Sequence, residues 1–231
     1  MRKNKSNCNL NTCFMCRQCL KEWLPAIDAN KKVFHFKKGE VLFKEGELMS
    51  GLYFINSGSV KVHKKWGSDK ELIVRFAKEG DIAGHRGLGK DYFYSVSATA
   101  LEPVTVCFVD MEFFNATLKV NTEFLFQLMM FFAEELKVSE KKMRNMAHMK
   151  VKGRIAIALL SLSNKFGFDL EGFINIPLSK QDLASYAGAT YETVFRIINE
   201  LIEEDIIRVF GKKITILQPQ VLENFTKYEG M

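Results

Sequence analysis

Between residues 33 and 110 the apolar side chains come in short runs cut by glycine turns. Val33-Phe34-His35-Phe36 stops at Lys37-Lys38-Gly39-Glu40, and Val41-Leu42-Phe43 stops near Gly46. Leu52-Tyr53-Phe54-Ile55 closes on Asn56-Ser57-Gly58, and Val60-Lys61-Val62-His63 runs into Trp66-Gly67. Leu72-Ile73-Val74-Arg75-Phe76 ends before Glu79-Gly80-Asp81. Strands of this length with turn signals at this spacing predict an all-β barrel, roll or sandwich.

The period changes at Thr122. No glycine or proline follows until Gly153, and Leu125, Met129, Phe132, Leu136, Ser139, Met143 and Met146 are spaced 4, 3, 4, 3, 4, 3. These are the a and d positions of a heptad seam with one polar exception at Ser139. A helix packed only on its own domain would also be amphipathic. A seam this narrow suits a partner helix better, and a second stripe (Phe124, Leu128, Phe131) remains for the β-domain. Methionines in the seam would make it adaptable. Beyond Gly153 a new helix is expected over Arg154 to Lys165, then a short strand, Phe173-Ile174-Asn175-Ile176, ended by Pro177.

Ser179-Lys180-Gln181-Asp182 is a capping box opening a short helix. Ala187-Gly188-Ala189 separates it from a longer helix, Thr190 to about Glu204. Ala184, Gly188 and Val194 stand where a helix-turn-helix needs a small residue, a positive-φ turn and an apolar lock. Ile206-Ile207-Arg208-Val209 and Lys213-Ile214-Thr215-Ile216-Leu217 flank Phe210-Gly211-Lys212, a hairpin with a basic tip. Together these read as a winged helix-turn-helix. Its second helix would enter the major groove and present Tyr191, Glu192, Phe195 and Arg196 to base edges. Arg196 can donate twice to guanine and Glu192 can accept from cytosine N4. As i,i+4 neighbours, those two also qualify as a surface ion pair. Lys180, Gln181, Lys212 and Lys213 are candidate phosphate contacts.

Composition adds less. The chain has 231 residues, 47% hydrophobic and 26% charged, with a formal net charge of +6, so two folded domains and a polyanionic partner are both in range. The basic start lacks the apolar stretch of a signal peptide, and the most apolar run, Phe124 to Phe132, is too short to span a membrane. A cytoplasmic location is therefore expected. Enzyme motifs are missing: no phosphate loop, nucleophile elbow, paired carboxylates or His-rich metal motif, and His35, His63, His85 and His148 are scattered. His63 and His85, though candidate haem ligands, are expected to be polar surface residues.

Four of the five cysteines, Cys8, Cys13, Cys16 and Cys19, lie in the first nineteen residues, and Cys107 stands apart. A reducing compartment argues against a disulfide framework. Three thiolates spaced by two residues resemble the ferredoxin triple that holds an iron–sulfur cluster. Zinc and a thiol–disulfide switch are the rivals.

Taken together, the chain resembles the CRP/FNR family, the cyclic-AMP receptor protein and the fumarate-and-nitrate-reductase regulator. The likeness is carried by Lys38-Gly39-Glu40, Leu42-Phe43, Glu45-Gly46, Tyr53-Phe54-Ile55, Ser57-Gly58-Ser59-Val60, Gly80-Asp81-Ile82-Ala83-Gly84 and Tyr191-Glu192-Thr193-Val194-Phe195-Arg196. It implies an α+β architecture. A cysteine-rich segment (1–30) would precede a β-roll like the cyclic-nucleotide-binding jelly roll (31–120). A dimerisation helix (121–150) and a winged helix-turn-helix (151–231) would follow. The resemblance further implies a homodimeric, signal-responsive transcription regulator that binds a palindrome of TGA-type half-sites and works with RNA polymerase. Phe195 departs from the small residue of both named members, which leaves the outer half-site open. Where the family holds cyclic AMP with a Gly-Glu-Leu segment and an Arg-Ser pair, this chain has Gly84-His85-Arg86-Gly87-Leu88 and Phe93-Tyr94-Ser95, which argues against that ligand. Cys107 resembles the remote ligand of the oxygen-sensing members, so the resemblance implies a 4Fe–4S cluster on Cys13, Cys16, Cys19 and Cys107. Cys8 is the possible substitute. The intact cluster would favour the DNA-competent dimer, and oxygen or nitric oxide would destroy it. The alternative is a small molecule or haem-bound gas sensed in the β-roll, with the cysteines binding zinc or acting as a thiol switch.

Overall fold

The computed structural model describes residues 10–67 and 70–227. Two short helices, α1 (Phe14–Gln18) and α2 (Leu24–Asn30), lead into β1 (Lys32–Phe36), β2 (Val41–Phe43), β3 (Gly51–Ser57), β4 (Val60–Trp66), β5 (Lys70–Ala77), β6 (Ile82–Ala83), β7 (Ser97–Ala100) and β8 (Val104–Asp110). A 3-10 turn, His85–Gly87, lies between β6 and β7. Then come α3 (Met111–Val120), α4 (Thr122–His148), α5 (Val151–Phe166), α6 (Lys180–Ala187) and α7 (Tyr191–Glu203). The hairpin β9 (Ile207–Phe210) and β10 (Lys213–Ile216) and the helix α8 (Pro219–Thr226) complete the chain. There are two compact units: one extends to Lys64 and includes Val74–Lys137, and the other combines Lys65–Ile73 with the chain from Val138 onward. The helix α4 is divided between them.

The strands form two four-stranded sheets, in the orders β1-β8-β3-β6 and β2-β7-β4-β5. Every runs-and-turns expectation for this region is met, because each apolar run supplies a strand and each glycine cluster a reversal. Tyr53 and Phe108 are cross-strand partners, and Tyr53 stacks on Phe43 of the other sheet at 5.3 Å. Side chains alternate along a strand, so Phe54 and its partner Cys107 occupy the opposite face of their sheet. Phe54, Cys107, Phe114, Phe124 and Leu128 belong to one core with the buried residues of the N-terminal segment. The Asp110 side chain caps α3 by accepting from Phe113 N at 2.9 Å.

In the C-terminal unit the capping box forms: Asp182 N donates to Ser179 Oγ at 3.0 Å and Ser179 N to Asp182 Oδ2 at 3.3 Å. Gly188 ends α6 at φ 63°, the left-handed conformation that glycine adopts without strain. Thr190 caps α7, whose Val194, Ile197, Ile198 and Leu201 are buried. The hairpin forms as expected, in register Lys213↔Phe210 to Ile216↔Ile207.

Two expectations are corrected. Gly153 does not precede α5 but lies inside it, buried, because α8 crosses there: a Cβ at 153 would stand 2.6 Å from the Phe225 carbonyl oxygen. Residues 173–176 are not a strand. Asp169 closes a turn by accepting from Glu171 N (3.0 Å) and Phe173 N (2.9 Å), leaving one bridge, Phe168↔Ile174. Ile176 N then turns back to Ile174 O at 2.8 Å, so no ladder continues towards Pro177.

Alanine is the better helix former, by about 1 kcal/mol. Gly153→Ala is nevertheless expected to destabilise the C-terminal unit by about 1–3 kcal/mol, because the obstacle is backbone. A urea titration followed by circular dichroism reads this directly.

Candidate nucleic-acid interface and sensing residues

The side chains expected at base edges all lie on the open face of α7. Tyr191 and Phe195 are each 41% exposed, and Glu192 and Arg196 are exposed. The two rings stack at 6.1 Å, and the Lys180 ammonium lies 4.5 Å from the centre of the Phe195 ring. Arg196 takes Glu200 as its ion-pair partner, at 2.5 Å. The Glu192–Arg196 pair considered from spacing is not the one formed; Glu200, one turn onward on the same face, takes the guanidinium. Glu192 is left at the first turn of the helix, where its charge complements the helix dipole.

Among the candidate phosphate contacts, Gln181 and Lys212 are exposed and Lys180 is half-buried. Lys213 is engaged with Asp169 (3.2 Å) and Glu171 (2.6 Å), which raise its pKa. It acts as a tether between the hairpin and the 169–171 turn. The motif's main internal brace escaped the sequence reading. Arg154 donates from Nε to Ala187 O at 2.9 Å and from its terminal nitrogens to Gly188 O at 3.1 Å and Met149 O at 3.0 Å. One guanidinium thus ties the end of the long helix to the turn of the helix-turn-helix. Met146 does the same by packing: a Cβ at Gly188 would stand 3.0 Å from its Cε.

The seam residues divide into two groups. Leu125 (46%), Met129 (55%), Leu136 (60%) and Met143 (66%) are exposed in the single chain. Phe132, Ser139 and Met146 are half-buried, and Phe132 packs on the β-domain core. The second stripe is as expected: Phe124 and Leu128 are buried, and Phe131 packs on the same core.

In line with the buried stripe, one turn beyond Phe131, lies Glu135. Its carboxylate meets Arg86 at 2.8 Å, Arg75 Nε at 3.6 Å and His85 Nε2 at 3.7 Å. Burial alone would raise the Glu135 pKa, but the His85 ring and the two guanidinium groups hold it down at about 2. Arg75 also pairs with Asp81 (3.2 Å), donates to Ile82 O (2.9 Å) and lies over the Phe131 ring at 5.2 Å. His85 and His63 are not surface residues: they are 2% and 3% exposed. His85 rests against Phe131 (5.0 Å) and Phe132 (5.6 Å), and burial lowers its pKa; His63 Nε2 meets Thr99 Oγ1 at 2.8 Å.

Cys13, Cys16, Cys19 and Cys107 are all buried, in the same core, and none is in a disulfide. Cys8 lies outside the described residues. Cys13 and Cys19 flank α1 and Cys16 lies within it. The segment is pinned down at several points. Thr12 Oγ1 donates to Glu79 (3.1 Å), Leu20 N to Asn121 Oδ1 (2.8 Å) and Trp23 Nε1 to Thr117 Oγ1 (3.1 Å). Phe14 packs on Phe124 and Phe131 at 6.1 and 5.2 Å. Burial, with the Cys13 thiol nearby, pushes the Cys19 thiol up to about 12. Among the described residues, no three Cys, His, Asp or Glu side chains are gathered at metal-binding distance. The donor chemistry nonetheless fits an iron–sulfur group. Three thiols are confined to one anchored turn, the strand alternation turns Cys107 towards the same core, and thiolates buried there need a cation to balance them.

Two family descriptions match the chain: Cyclic nucleotide-binding domain over residues 33–121 and Crp-like helix-turn-helix domain over residues 153–225. The Fumarate and nitrate reduction regulatory protein of Vibrio cholerae is 30% identical over 78% of this chain and 73% of its own. The cAMP-activated global transcriptional regulator CRP of Salmonella typhimurium is 31% identical over 80% of this chain and 89% of its own. The fold is shared with FixK2 from Bradyrhizobium japonicum, at a TM-score of 0.77 and 23% identity, covering 87% of this chain and 99% of that one. Among the described residues, no helix is long and apolar enough to cross a membrane.

Removing the carboxylate that faces Arg86, Arg75 and His85 takes away the charge that Arg86 pairs with and leaves Arg75 to Asp81. Glu135→Ala is expected to lower the stability of the β-domain by about 2–4 kcal/mol, somewhat below a fully buried pair because Glu135 is 18% exposed. The midpoint of chemical unfolding measures it, and an unchanged midpoint would mean that the cations find other partners.

Proposed function

We propose that this chain, which belongs to the CRP/FNR family of DNA-binding transcription regulators, reads palindromic DNA as a homodimer under the control of a 4Fe–4S cluster. It is a regulator and not an enzyme. The observation that carries the DNA reading is α7: a helix locked from beneath by four buried aliphatic residues, with Tyr191, Glu192, Phe195 and Arg196 free of the core. In a major groove, Arg196 donates to guanine O6 and N7 and Glu192 accepts from cytosine N4, the contacts expected of a TGA-type half-site. Gln181, Lys180 and the hairpin tip at Lys212 hold the register through phosphates. The exposed apolar residues Leu125, Met129, Leu136 and Met143 supply the dimer seam. RNA polymerase is the partner through which such a regulator acts, in a cytoplasm that keeps thiols reduced.

The sensing residues favour a cluster over cyclic AMP. Arg86, the cation nearest the family's phosphate-binding position, is spent on Glu135. Gly84-His85-Arg86 carries no glutamate for a ribose. Cys13, Cys16, Cys19 and Cys107 would hold the cluster, with Cys8 as the substitute. When bound, it supplies an oxygen-labile iron–sulfur centre. The thiols would hold it beside the layer that α4 packs on: Phe14, next to Cys13, touches Phe124 and Phe131, whose helix carries the proposed seam. A change at the thiols therefore has a packed route to the residues that pair two chains.

Anaerobic purification followed by iron and sulfide analysis tests this. About four iron and four sulfide per chain are expected. The visible absorption and the DNA affinity should be lost together in air, and Cys107→Ala should abolish both iron and colour. Colourless protein, or protein holding zinc, would overturn the cluster assignment and move the signal to the β-roll.

A further inference from the structure

The recognition helix carries a feature that neither Arg196 nor Glu192 explains. Two exposed aromatic rings, Tyr191 and Phe195, stack on each other at 6.1 Å with planes 24° apart, and Lys180 lies over Phe195 at 4.5 Å. Lys180 is the first residue of α6, so the cation reaches across from the neighbouring helix. Nothing in the core requires these rings, since each is 41% exposed. A ring held by both a stacking and a cation–π neighbour has little freedom left to lose on binding. The result is a preset apolar patch beside the two side chains that face guanine and cytosine.

The major groove offers one apolar group for such a patch, the 5-methyl of thymine. We propose that the Lys180–Phe195–Tyr191 stack is a specificity element that selects a 5-methylated pyrimidine in the outer part of each half-site. Phe195 makes the contact, Tyr191 supports the ring, and Lys180 is a positioning residue that holds it. This rests on α7 lying in the major groove. It gives Lys180 a second task beside any phosphate contact: its hydrocarbon stem and charge fix a neighbouring side chain. The bulk of the aromatic also keeps other groups away from the neighbouring base edges, so the outer bases of the preferred site should differ from those of family members with a small residue there.

The test uses the full-length chain, purified anaerobically, and duplexes selected with it from a random pool. Each thymine of the selected site is replaced in turn by deoxyuridine, which removes only the methyl. At one outer position the loss should be about fourfold per half-site and about fifteenfold when both are changed, the value of one buried methyl group. At the same position, 5-methylcytosine should bind more tightly than cytosine. Phe195→Ala should bring both ratios to about one, Lys180→Gln should reduce them, and Lys180→Arg should restore them by returning the cation. Methyl ratios near one at every outer position, or ratios that Phe195→Ala leaves unchanged, would overturn the proposal. Arg196→Ala separates this from failure of the groove reading. If that variant keeps full sequence specificity, α7 is not the reader at all. If it loses specificity while the methyl ratios are flat, only the thymine assignment fails.

Discussion

The 27 residues of α4 have to satisfy two apolar surfaces at once, and most of the architecture follows from how they do it. Phe124, Leu128 and Phe131 face the β-domain core, while Leu125, Met129, Leu136 and Met143 face outward. At 100° per residue the two stripes are centred about a third of a turn apart, so the phase of the helix decides which of them is buried. Glu135 fixes the rotation. It brings one carboxylate to Arg75, Arg86 and His85 on the β-domain, and those contacts are possible in only one phase of the helix. Its charge is thus spent less on net stability than on orientation, which is the use best attested for buried ion pairs.

The same economy governs the DNA-reading end. Arg154 satisfies carbonyls at Met149, Ala187 and Gly188 that would otherwise end their helices without partners. The positive φ of Gly188 and the Ser179–Asp182 cap then set α6, and α7 is left with one buried and one open face. On the N-terminal side, hydrogen bonds from Thr12, Leu20 and Trp23 hold the cysteine-bearing turn against the core that also receives α4. Thiol burial and seam exposure are therefore properties of two sides of one packed layer.

Much of this was legible in the sequence because it is local. The strand runs, the capping box, the turn at Gly188 and the hairpin each depend on a few consecutive residues. So does the heptad spacing, although it did not reveal that Phe132 packs on the core or that Met146 packs by Gly188. What was missed is non-local. Gly153 reads as a breaker until α8 crosses it, His63 reads as a surface group until the strands pack, and His85 does so until α4 lays Phe131 and Phe132 against it. The meeting of Arg75, Arg86 and Glu135 joins residues sixty positions apart, and no spacing rule foretells it. Local geometry also decided two small contests. Arg196 chose Glu200 over Glu192, and the turn closed by Asp169 leads into an irregular segment at 173–176, where the apolar run suggested a strand. Lys213, basic and at the hairpin, also pairs with two carboxylates, a contact between distant residues that its spacing does not announce.

In the proposed function the outward stripe of α4 joins two chains so that two copies of α7 read one palindrome. Sedimentation equilibrium of the anaerobic chain with a selected palindrome, and with a duplex carrying only one half-site, tests it most directly. Two chains are expected on each palindrome, bound far more tightly than to the single half-site, with the difference removed by Leu136→Glu in the seam. One chain per duplex, with equal affinity for the half-site and the palindrome, would contradict it.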